Sequence, residues 1–369
     1  MGFRCGIVGL PNVGKSTIFN ALTAAGIEAA NYPFCTIEPN VGMVSVPDLR
    51  LDKLAALAKT KRTVYAQMEF VDIAGLVSGA SKGEGLGNQF LGHIRQVDAI
   101  AHVIRCFEDD NIVHVSGGID PIRDMEIINT ELILADLDTV DKRMKKTQSM
   151  AKSGDKIAKE QLVLLEELQK ILDSGRPART LVVETAFEEA SHRLQREICL
   201  LTAKPVLYVA NVKEEDILTG NQWVDQLKAR VEAEDKAPVV LISGAIESEL
   251  STMGPVEQLE FLRDMGLEES GLNRLIRAGY KLLGLTNYFT VGEKETRSWT
   301  IPVGAKAPQA AGVIHSDFER GFIRAEVIAY EDYIACGSEA AAKERGVWRL
   351  EGKDYVVQDG DCINFRFNV

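Results

Sequence analysis

The chain has 369 residues, of which 46% are apolar, 26% charged and 7% aromatic. This composition is that of an ordinary folded protein and excludes a chain that is disordered throughout. At roughly 100–200 residues per domain, we expect two or three domains. With 42 Lys and Arg against 54 Asp and Glu, the formal net charge is −12. The overall field therefore repels phosphate backbones and excludes a general nucleic-acid coat protein.

The sequence indicates neither export nor membrane insertion. The longest stretch without a charged residue, 16–27, is too short for the ~20 apolar residues of a spanning helix. The amino terminus has no apolar run of signal length, so we expect a cytoplasmic protein with no membrane contact. The six cysteines form no CxxC pair, which favours free thiols over a zinc site or a disulfide framework.

Short apolar runs that end in glycine or polar residues recur along the first two thirds of the chain. They cover residues 4–10, 67–72, 99–104, 205–211 and 238–243. Helical patterns, beginning with residues 15–25, alternate with these runs. Such alternation predicts a doubly wound α/β fold: a mostly parallel sheet, covered on both faces, with ligand sites at the carboxyl ends of its strands.

Residues 129–201 break this alternation, because apolar residues recur there at helical spacing with a single proline. Breaks at 153–154 and 174–177 predict two long antiparallel helices, followed by a third over 184–201. One stretch, 142–159, has a single acidic residue, Asp155, and seven basic ones: Lys142, Arg143, Lys145, Lys146, Lys152, Lys156 and Lys159. A solvated helical face and a contact for RNA phosphates are both open interpretations of this basic stretch.

After residue 283 the pattern changes to short alternating strands and turns, which predicts a small mixed domain. It ends in residues 355–367 around an Asp359-Gly360 turn. We therefore expect a nucleotide-binding domain over 1–283, whose core is 1–128 and 202–283. The helical insertion occupies 129–201 within it, and the carboxyl-terminal domain covers 284–369.

Residues 9–16 read Gly-Leu-Pro-Asn-Val-Gly-Lys-Ser, the G-x-x-x-x-G-K-[ST] pattern of a phosphate-binding loop. The glycines let backbone amides surround the β-phosphate, Lys15 reaches the β- and γ-oxygens, and the Ser16 hydroxyl coordinates Mg²⁺. The pattern follows a predicted strand and opens a predicted helix, which is the context that this motif requires.

Two further segments complete the pattern of a nucleotide switch. Asp72 and Gly75 belong to a D-x-x-G sequence at the end of a predicted strand. There the carboxylate can hold Mg²⁺ through water and the Gly75 amide can sense a γ-phosphate. Thr36, in the preceding loop, would complete the metal shell only when the γ-phosphate is present. The predicted metal site is therefore Ser16, Thr36 and Asp72.

The base-reading segment departs from the N-K-x-D sequence with which GTPases of this class read guanine. It reads Asn211-Val212-Lys-Glu214. An ionised Glu cannot donate to adenine N1, whereas the Asn211 amide both donates and accepts, so we expect guanine selectivity to be lost. Ser243 and Gly244, after the next predicted strand, occupy the usual place of the last base-contacting loop.

Leu76 stands where many GTPases have a glutamine that orients water. Its apolar side chain cannot do so, and we therefore expect slow intrinsic turnover or another group that holds the water. Among the five histidines, His114 follows a predicted strand at the edge that should hold the nucleotide. It is either a catalytic residue or an ordinary loop histidine. Asn12 is a candidate ligand for K⁺, which would supply charge at the transition state.

With these residues in place, the chain closely resembles the Obg-like ATPases, the YchF subfamily of the Obg family, from end to end. Four tracts carry the resemblance: GLPNVGKST at 9–17, NYPFCTIEPN at 31–40, DIAGLV and GASKGEGLGNQFL within 72–91, and DFERGFIRAEV at 317–327. The resemblance implies a G domain with a coiled-coil insertion, then a TGS domain of β-grasp fold. It also implies a preference for ATP over GTP, association with ribosomes (the 50S subunit or the 70S particle) and redox regulation.

Carried over by position, the resemblance assigns a nucleotide loop, metal ligands and base contacts. The nucleotide loop is Asn12, Val13, Gly14, Lys15, Ser16 and Thr17. The metal ligands are Ser16 and Thr36, and the base-side contacts are Asn211 and Val212, with Glu214 completing the Asn-x-x-Glu of the family. Cys35 is the thiol best placed to connect oxidation with metal binding, and an inert small residue is the other interpretation.

The sequence thus predicts a monomeric, Mg²⁺-dependent and weakly active ATPase whose nucleotide state alters its binding to the translation machinery. An Obg-type GTPase and a nucleotide-gated adaptor with incidental hydrolysis remain the alternatives. A small-molecule kinase is disfavoured, because the set of Thr36, Asp72 and Gly75 suits a hydrolase.

Overall fold

The computed structural model describes residues 3–27, 40–73, 86–109 and 118–368. The chain divides into two compact units, one formed by 3–42 and 69–278 and the other by 43–68 and 279–369. Segment 43–68 therefore groups with the carboxyl-terminal residues, which the sequence did not indicate. The predicted domain ranges 1–283, 129–201 and 284–369 stay a prediction. No helix within the described ranges is long and apolar enough to cross a membrane.

The strands that the structure describes are, in chain order, β1 Arg4–Val8, β2 Val41–Ser45, β3 Thr63–Val64, β4 Gln67–Asp72, β5 Ala99–Arg105, β6 Val206–Asn211, β7 Val239–Ile242, β8 Leu285–Thr290, β9 Thr296–Pro302, β10 Phe322–Ile328, β11 Arg349–Glu351 and β12 Cys362–Phe367. The helices are α1 Lys15–Ile27, α2 Leu49–Leu57, α3 Leu86–Gln96, α4 Pro121–Lys152, α5 Lys156–Asp173, α6 Glu188–Ile198, α7 Gln222–Glu234, α8 Gly244–Leu250, α9 Pro255–Asp264, α10 Gly271–Leu282, α11 Ala307–Ile314, α12 Ser316–Arg320, α13 Tyr330–Cys336 and α14 Glu339–Glu344.

The first sheet has the order β2-β4-β1-β5-β6-β7, and its strands from β4 to β7 run parallel. Every residue of β5 and β6 is buried, because central strands of a parallel sheet are covered on both faces. That is why these strands read as continuous apolar runs in the sequence. The predicted α/β fold with a mostly parallel sheet is confirmed.

The helical insertion begins earlier than predicted, at Pro121 rather than at residue 129. Asp120 caps α4 by accepting a hydrogen bond from the Arg123 amide at 3.0 Å, and proline suits the first turn because its missing N–H has no helical partner. The predicted break at 153–154 is confirmed, since α4 ends at Lys152 and α5 starts at Lys156. These two helices pack against each other, while coiled-coil packing stays a prediction.

The third helix of the insertion is shorter than the predicted range 184–201. A 3-10 turn over Thr185–Phe187 precedes α6, and α6 ends at Ile198. Cys199 stops it, because its backbone is left-handed with φ of +43°, a conformation that cannot continue a right-handed helix. The predicted bounds were wrong at both ends of this helix.

The second sheet has the order β11-β10-β12-β8-β9-β3, with parallel β12-β8 and β3-β9 pairs. This sheet agrees with the small mixed domain that the sequence predicts after residue 283. The assignment of that domain as a TGS domain stays a prediction. Segment 43–68 contributes the edge strand β3 and helix α2. Leu51 and Leu54 of α2 are fully buried in a cluster with Phe289, and Arg50 forms an ion pair with Asp359 at 2.8 Å.

Candidate nucleotide-binding site

The phosphate-loop sequence connects β1 to α1 and has a backbone that requires its glycines. Gly9 and Gly14 have φ of +155° and +97°, and Asn12 between them has φ of +62°. A Cβ atom on Gly9 would collide with the Val103 carbonyl oxygen, and one on Gly14 would collide with Asn211 Nδ2. The glycines are thus fixed both by conformation and by the close approach of neighbouring groups.

Lys15 lies at the first position of α1, and its ammonium group is folded back over the loop. The residue is 8% exposed, and Nζ donates a hydrogen bond to the Leu10 carbonyl at 2.6 Å. Burial lowers the pKa of Lys15 to about 8, and the nearby charge of Asp72 opposes that shift. The ammonium group is therefore held beside the loop by one carbonyl, which a phosphate oxygen can replace.

The other predicted loop residues differ in exposure. Asn12, Ser16 and Thr17 are exposed, whereas Val13 is buried at 1% exposure. Ser16 and Thr17 lie in the first turn of α1, where free backbone N–H groups and the helix dipole favour an anion. The geometry places the Ser16 hydroxyl at the same helix end as the Lys15 ammonium.

Asp72 ends β4 and carries a carboxylate oxygen that lacks a hydrogen bond. Its Oδ1 is buried with no partner among the residues that the structure describes. Burial raises the pKa of Asp72, while the charge of Lys15 lowers it. Carboxylate and hydroxyl oxygens are ligands that Mg²⁺ accepts, either directly or through water, and the orphaned oxygen of Asp72 is free to serve as one. Ser16 and Asp72 therefore fit the predicted metal site.

Asn211 connects the phosphate loop to the loop after β7. Asn211 lies at the end of β6 and is 4% exposed. Its Nδ2 donates a hydrogen bond to the Val13 carbonyl at 2.9 Å, and its Oδ1 accepts one from the Gly244 amide at 3.0 Å. The Val212 amide also bonds to the Ile242 carbonyl at 2.8 Å. These contacts bring together the carboxyl ends of β6 and β7, as the parallel sheet requires. The connecting role of Asn211 was missed in the sequence, where only a base contact was considered.

The remaining predicted base-side residues have different surroundings. Glu214 is exposed in a 3-10 turn, and Val212 is buried at 2% exposure. Ser243 is 1% exposed, and its hydroxyl caps α8 by accepting from the Ile246 amide at 3.5 Å. The Ser243 side chain therefore serves helix α8, and base contacts from all of these residues stay predictions.

Several predicted residues lie outside the described residues, and their roles stay predictions: Cys35, Thr36, Gly75, Leu76 and His114. His102, by contrast, is a buried residue of β5 whose ring lies 5.5 Å from that of Tyr208. Burial, with the charges of Arg179 and Lys15, lowers its pKa to about 3. His102 is therefore a neutral core residue, as its position in an apolar strand indicated.

Comparison with known proteins gives matches over both units. Residues 4–166 match a family described as a 50S ribosome-binding GTPase, and residues 285–368 match the carboxyl-terminal YchF-GTPase family, described as a protein of unknown function. The chain is 58% identical to "Ribosome-binding ATPase YchF" of Pasteurella multocida and 56% identical to the protein of that name from Bacillus subtilis, each over 100% of both chains. It is similar to the solved structure of the Schizosaccharomyces pombe YchF GTPase, with 39% identity, a TM-score of 0.89 and coverage of 99% of this chain and 98% of that one.

Proposed function

The chain belongs to the YchF family of ribosome-binding ATPases, and we propose that it hydrolyses ATP with Mg²⁺ and uses its nucleotide state to control ribosome binding. The observation that carries this proposal is the phosphate loop, in which the Lys15 ammonium lies against a replaceable carbonyl. The orphaned Asp72 oxygen beside it supports a metal-dependent reaction. We also infer that the protein is cytoplasmic, because the ribosome, its proposed partner, is cytoplasmic, and we propose that it acts as a monomer.

The loop residues have distinct tasks in this reaction. The backbone amides between Gly9 and Ser16 surround the β-phosphate, and Lys15 leaves the Leu10 carbonyl for the β- and γ-oxygens. Ser16 and Asp72 would hold Mg²⁺, which would neutralise the charge that develops on the phosphoryl oxygens. Thr36 would complete the metal shell, Gly75 would sense the γ-phosphate, and Asn12 would hold K⁺, which would supply positive charge.

The base-reading segment supports ATP as the substrate. Val212 offers no lysine stem to flank guanine, and Glu214, when ionised, can accept a hydrogen bond from the N6 amine of adenine. The carboxamide of Asn211 already bonds to Val13 and Gly244, but it keeps one N–H and one oxygen lone pair for further contacts. An Obg-type GTPase remains the second candidate, favoured by the GTPase family match over residues 4–166 and by the name of the similar solved structure, the YchF GTPase of Schizosaccharomyces pombe.

Two measurements on the purified full-length chain distinguish these functions. The first is competitive binding of ATP and GTP, and the second is the rate of ATP hydrolysis with and without ribosomes. We expect ATP to bind more tightly than GTP and ribosomes to change the hydrolysis rate. Tighter GTP binding would indicate the Obg-type GTPase. An ATPase rate that is unaffected by 50S subunits and 70S ribosomes, together with nucleotide-dependent ribosome binding, would indicate the adaptor with incidental hydrolysis.

The identity of the group that orients water gives a separate prediction. Replacing His114 by alanine is expected to lower the hydrolysis rate by about 10²–10⁴-fold, the usual contribution of a positioned acid or base. The affinity for ATP is expected to stay unchanged, since phosphate binding rests on the loop and Lys15. Single-turnover hydrolysis and equilibrium binding of a fluorescent ATP analogue measure the two quantities. Unchanged turnover would contradict the catalytic role, and His102→Asn, a change at a buried histidine of β5, serves for comparison.

The basic stretch 142–159 lies at the tip formed by α4 and α5, and we propose that it contacts ribosomal RNA. Arg143 is turned inward, where it forms an ion pair with Glu197 and donates to Gln161 at 3.0 Å. The lysines of the stretch are exposed, and four of them form no ion pair with any residue that the structure describes: Lys145, Lys146, Lys152 and Lys159. Four uncompensated charges at one end of an acidic protein favour local docking on phosphates.

Reversing charge at this tip is expected to weaken ribosome binding. The triple variant Lys145→Glu, Lys146→Glu, Lys152→Glu should lose at least about tenfold in ribosome affinity at low salt and show a shallower salt dependence. A matched control reverses three exposed lysines elsewhere: Lys228, Lys281 and Lys353. Sedimentation with ribosomes at several salt concentrations measures binding, and ATP affinity should be unchanged in both variants. Equal losses in the two triple variants would show that net charge alone acts.

A further inference from the structure

A cavity of 450 Å³ lies within the first unit, between the helical insertion and the start of β6. Its apolar wall comes from two helices: Leu164 and Leu168 of α5, and Leu194 and Ile198 of α6. In each helix the two residues are four apart, so each helix presents one face to the cavity. The volume falls in the range of about 300–1,000 Å³ that is typical of small-molecule sites. None of the predicted nucleotide-site residues that the structure describes lines it.

Ser191 is a polar feature of this wall that the fold leaves unexplained. It lies on the same face of α6 as Leu194, lines the cavity and is 7% exposed. Its hydroxyl forms no hydrogen bond with any residue in the described part of the chain. The Ser191 hydroxyl is not among the fully buried, unpartnered side-chain atoms of the described residues, so it is accessible from the cavity and can offer a polar contact to a ligand.

Among the residues that the structure describes, the charged groups of the lining are both cations, Arg179 and Lys204, and no carboxylate lines the cavity. Arg179 is already paired, since its Nε donates to Asp235 at 2.7 Å. Lys204 is half-buried and donates to the backbone carbonyls of Arg95 and Val97. An ammonium group has three N–H donors, so one remains for a ligand. The cavity therefore combines apolar walls with one available positive charge.

We propose that this cavity binds a small amphipathic anion, an aliphatic carboxylate whose chain packs on the leucines of α5 and α6. The carboxylate accepts a hydrogen bond from the Lys204 ammonium, and the Ser191 hydroxyl in the cavity wall offers a second polar contact. The positive charge disfavours an aliphatic amine, and the apolar wall disfavours a purely polar anion such as inorganic phosphate. Nothing in the proposal depends on ATP hydrolysis, so the two functions can be tested separately.

Cys199 provides a direct readout, because it lines the cavity and is exposed. In the full-length protein, decanoate below its micelle concentration should slow the alkylation of Cys199 by iodoacetamide at least about tenfold at saturation. Cys336, a half-buried thiol of the second unit, is the internal control and should react at an unchanged rate. Peptide mapping by mass spectrometry separates the two. Equal Cys199 rates with and without decanoate would overturn the proposal.

Two variants test the assigned contacts. Lys204→Gln keeps a donor for the Val97 carbonyl but removes the charge, so decanoate affinity should fall about tenfold while decanol affinity stays the same. Equal losses for both molecules, or equal protection by decyltrimethylammonium, would overturn the assignment of an anion. Ala203→Phe places a ring in the cavity and should abolish protection; protection that persists in this variant would place the ligand elsewhere. If Ala203→Phe does not fold, Ser191→Ala is used, with an expected loss of severalfold in decanoate affinity.

Discussion

Replacing Lys15 by methionine is expected to lower the rate of ATP hydrolysis by about 10²–10³-fold and to weaken Mg·ATP binding. Methionine keeps an unbranched side chain that can fill the same buried space beside the Leu10 carbonyl, so the change removes charge rather than volume. Single-turnover hydrolysis and equilibrium nucleotide binding measure the two effects. The matched control is Lys152→Met, an exposed lysine on the helical insertion, which should leave both quantities unchanged.

The buried position of Lys15 gives this prediction a second readout. Because burial lowers the pKa of Lys15 to about 8, the nucleotide-free protein holds only part of this proton at pH 8. Phosphates favour the protonated ammonium, so binding of Mg·ATP should take up about half a proton at pH 8 and close to none at pH 7. Calorimetry in buffers with different ionisation enthalpies measures this uptake. Wild-type hydrolysis retained in Lys15→Met, or an equal proton uptake at both pH values, would contradict the assigned role.

The sequence was informative where a local pattern determines structure. The apolar strands β5 and β6 are covered on both faces, so their burial is visible as uninterrupted apolar residues. The phosphate-loop pattern likewise encodes its own conformation, because the left-handed backbone at Gly14 needs glycine. The start of α4 had a local signal as well, since the Asp120-Pro121 pair is a helix start, and the prediction that began at residue 129 overlooked it.

The features that the sequence did not indicate depend on residues far apart in the chain. Strand β3 has two residues, too few for a periodic pattern, and pairs with β9 more than 200 residues later. Asn211 bonds to Val13 and Gly244, so its connecting role is visible only after the sheet has brought β6 beside the phosphate loop. Local patterns identify the elements, but they do not say which distant groups will satisfy a buried amide.

Replacing Asp136 by alanine is expected to lower the free energy of unfolding of the first unit by about 3–5 kcal/mol, because three buried donors lose their acceptor. Asp136 lies on α4 and is 1% exposed. It accepts from the amides of Leu201 and Thr202, each at 2.8 Å, and from the Thr202 hydroxyl at 2.6 Å. Thr202 in turn accepts from the Ala178 amide at 2.9 Å. One carboxylate thus fixes the helical insertion to the segment that leads into β6.

Asp138, two residues along the same helix, provides the matched control. Its side chain is 63% exposed and, among the described residues, forms its ion pair with Lys142 on the surface, so Asp138→Ala should change stability by less than about 1 kcal/mol. Urea unfolding gives the global value, and hydrogen exchange of the Leu201 and Thr202 amides gives the local one. Asp136→Asn keeps the volume but turns an NH₂ group towards one of the donors, and it should be destabilising as well. The two variants could instead lower the free energy of unfolding by the same small amount. In that case the cost of burying the Asp136 carboxylate cancels the gain from its three hydrogen bonds, and the apolar core alone holds the insertion.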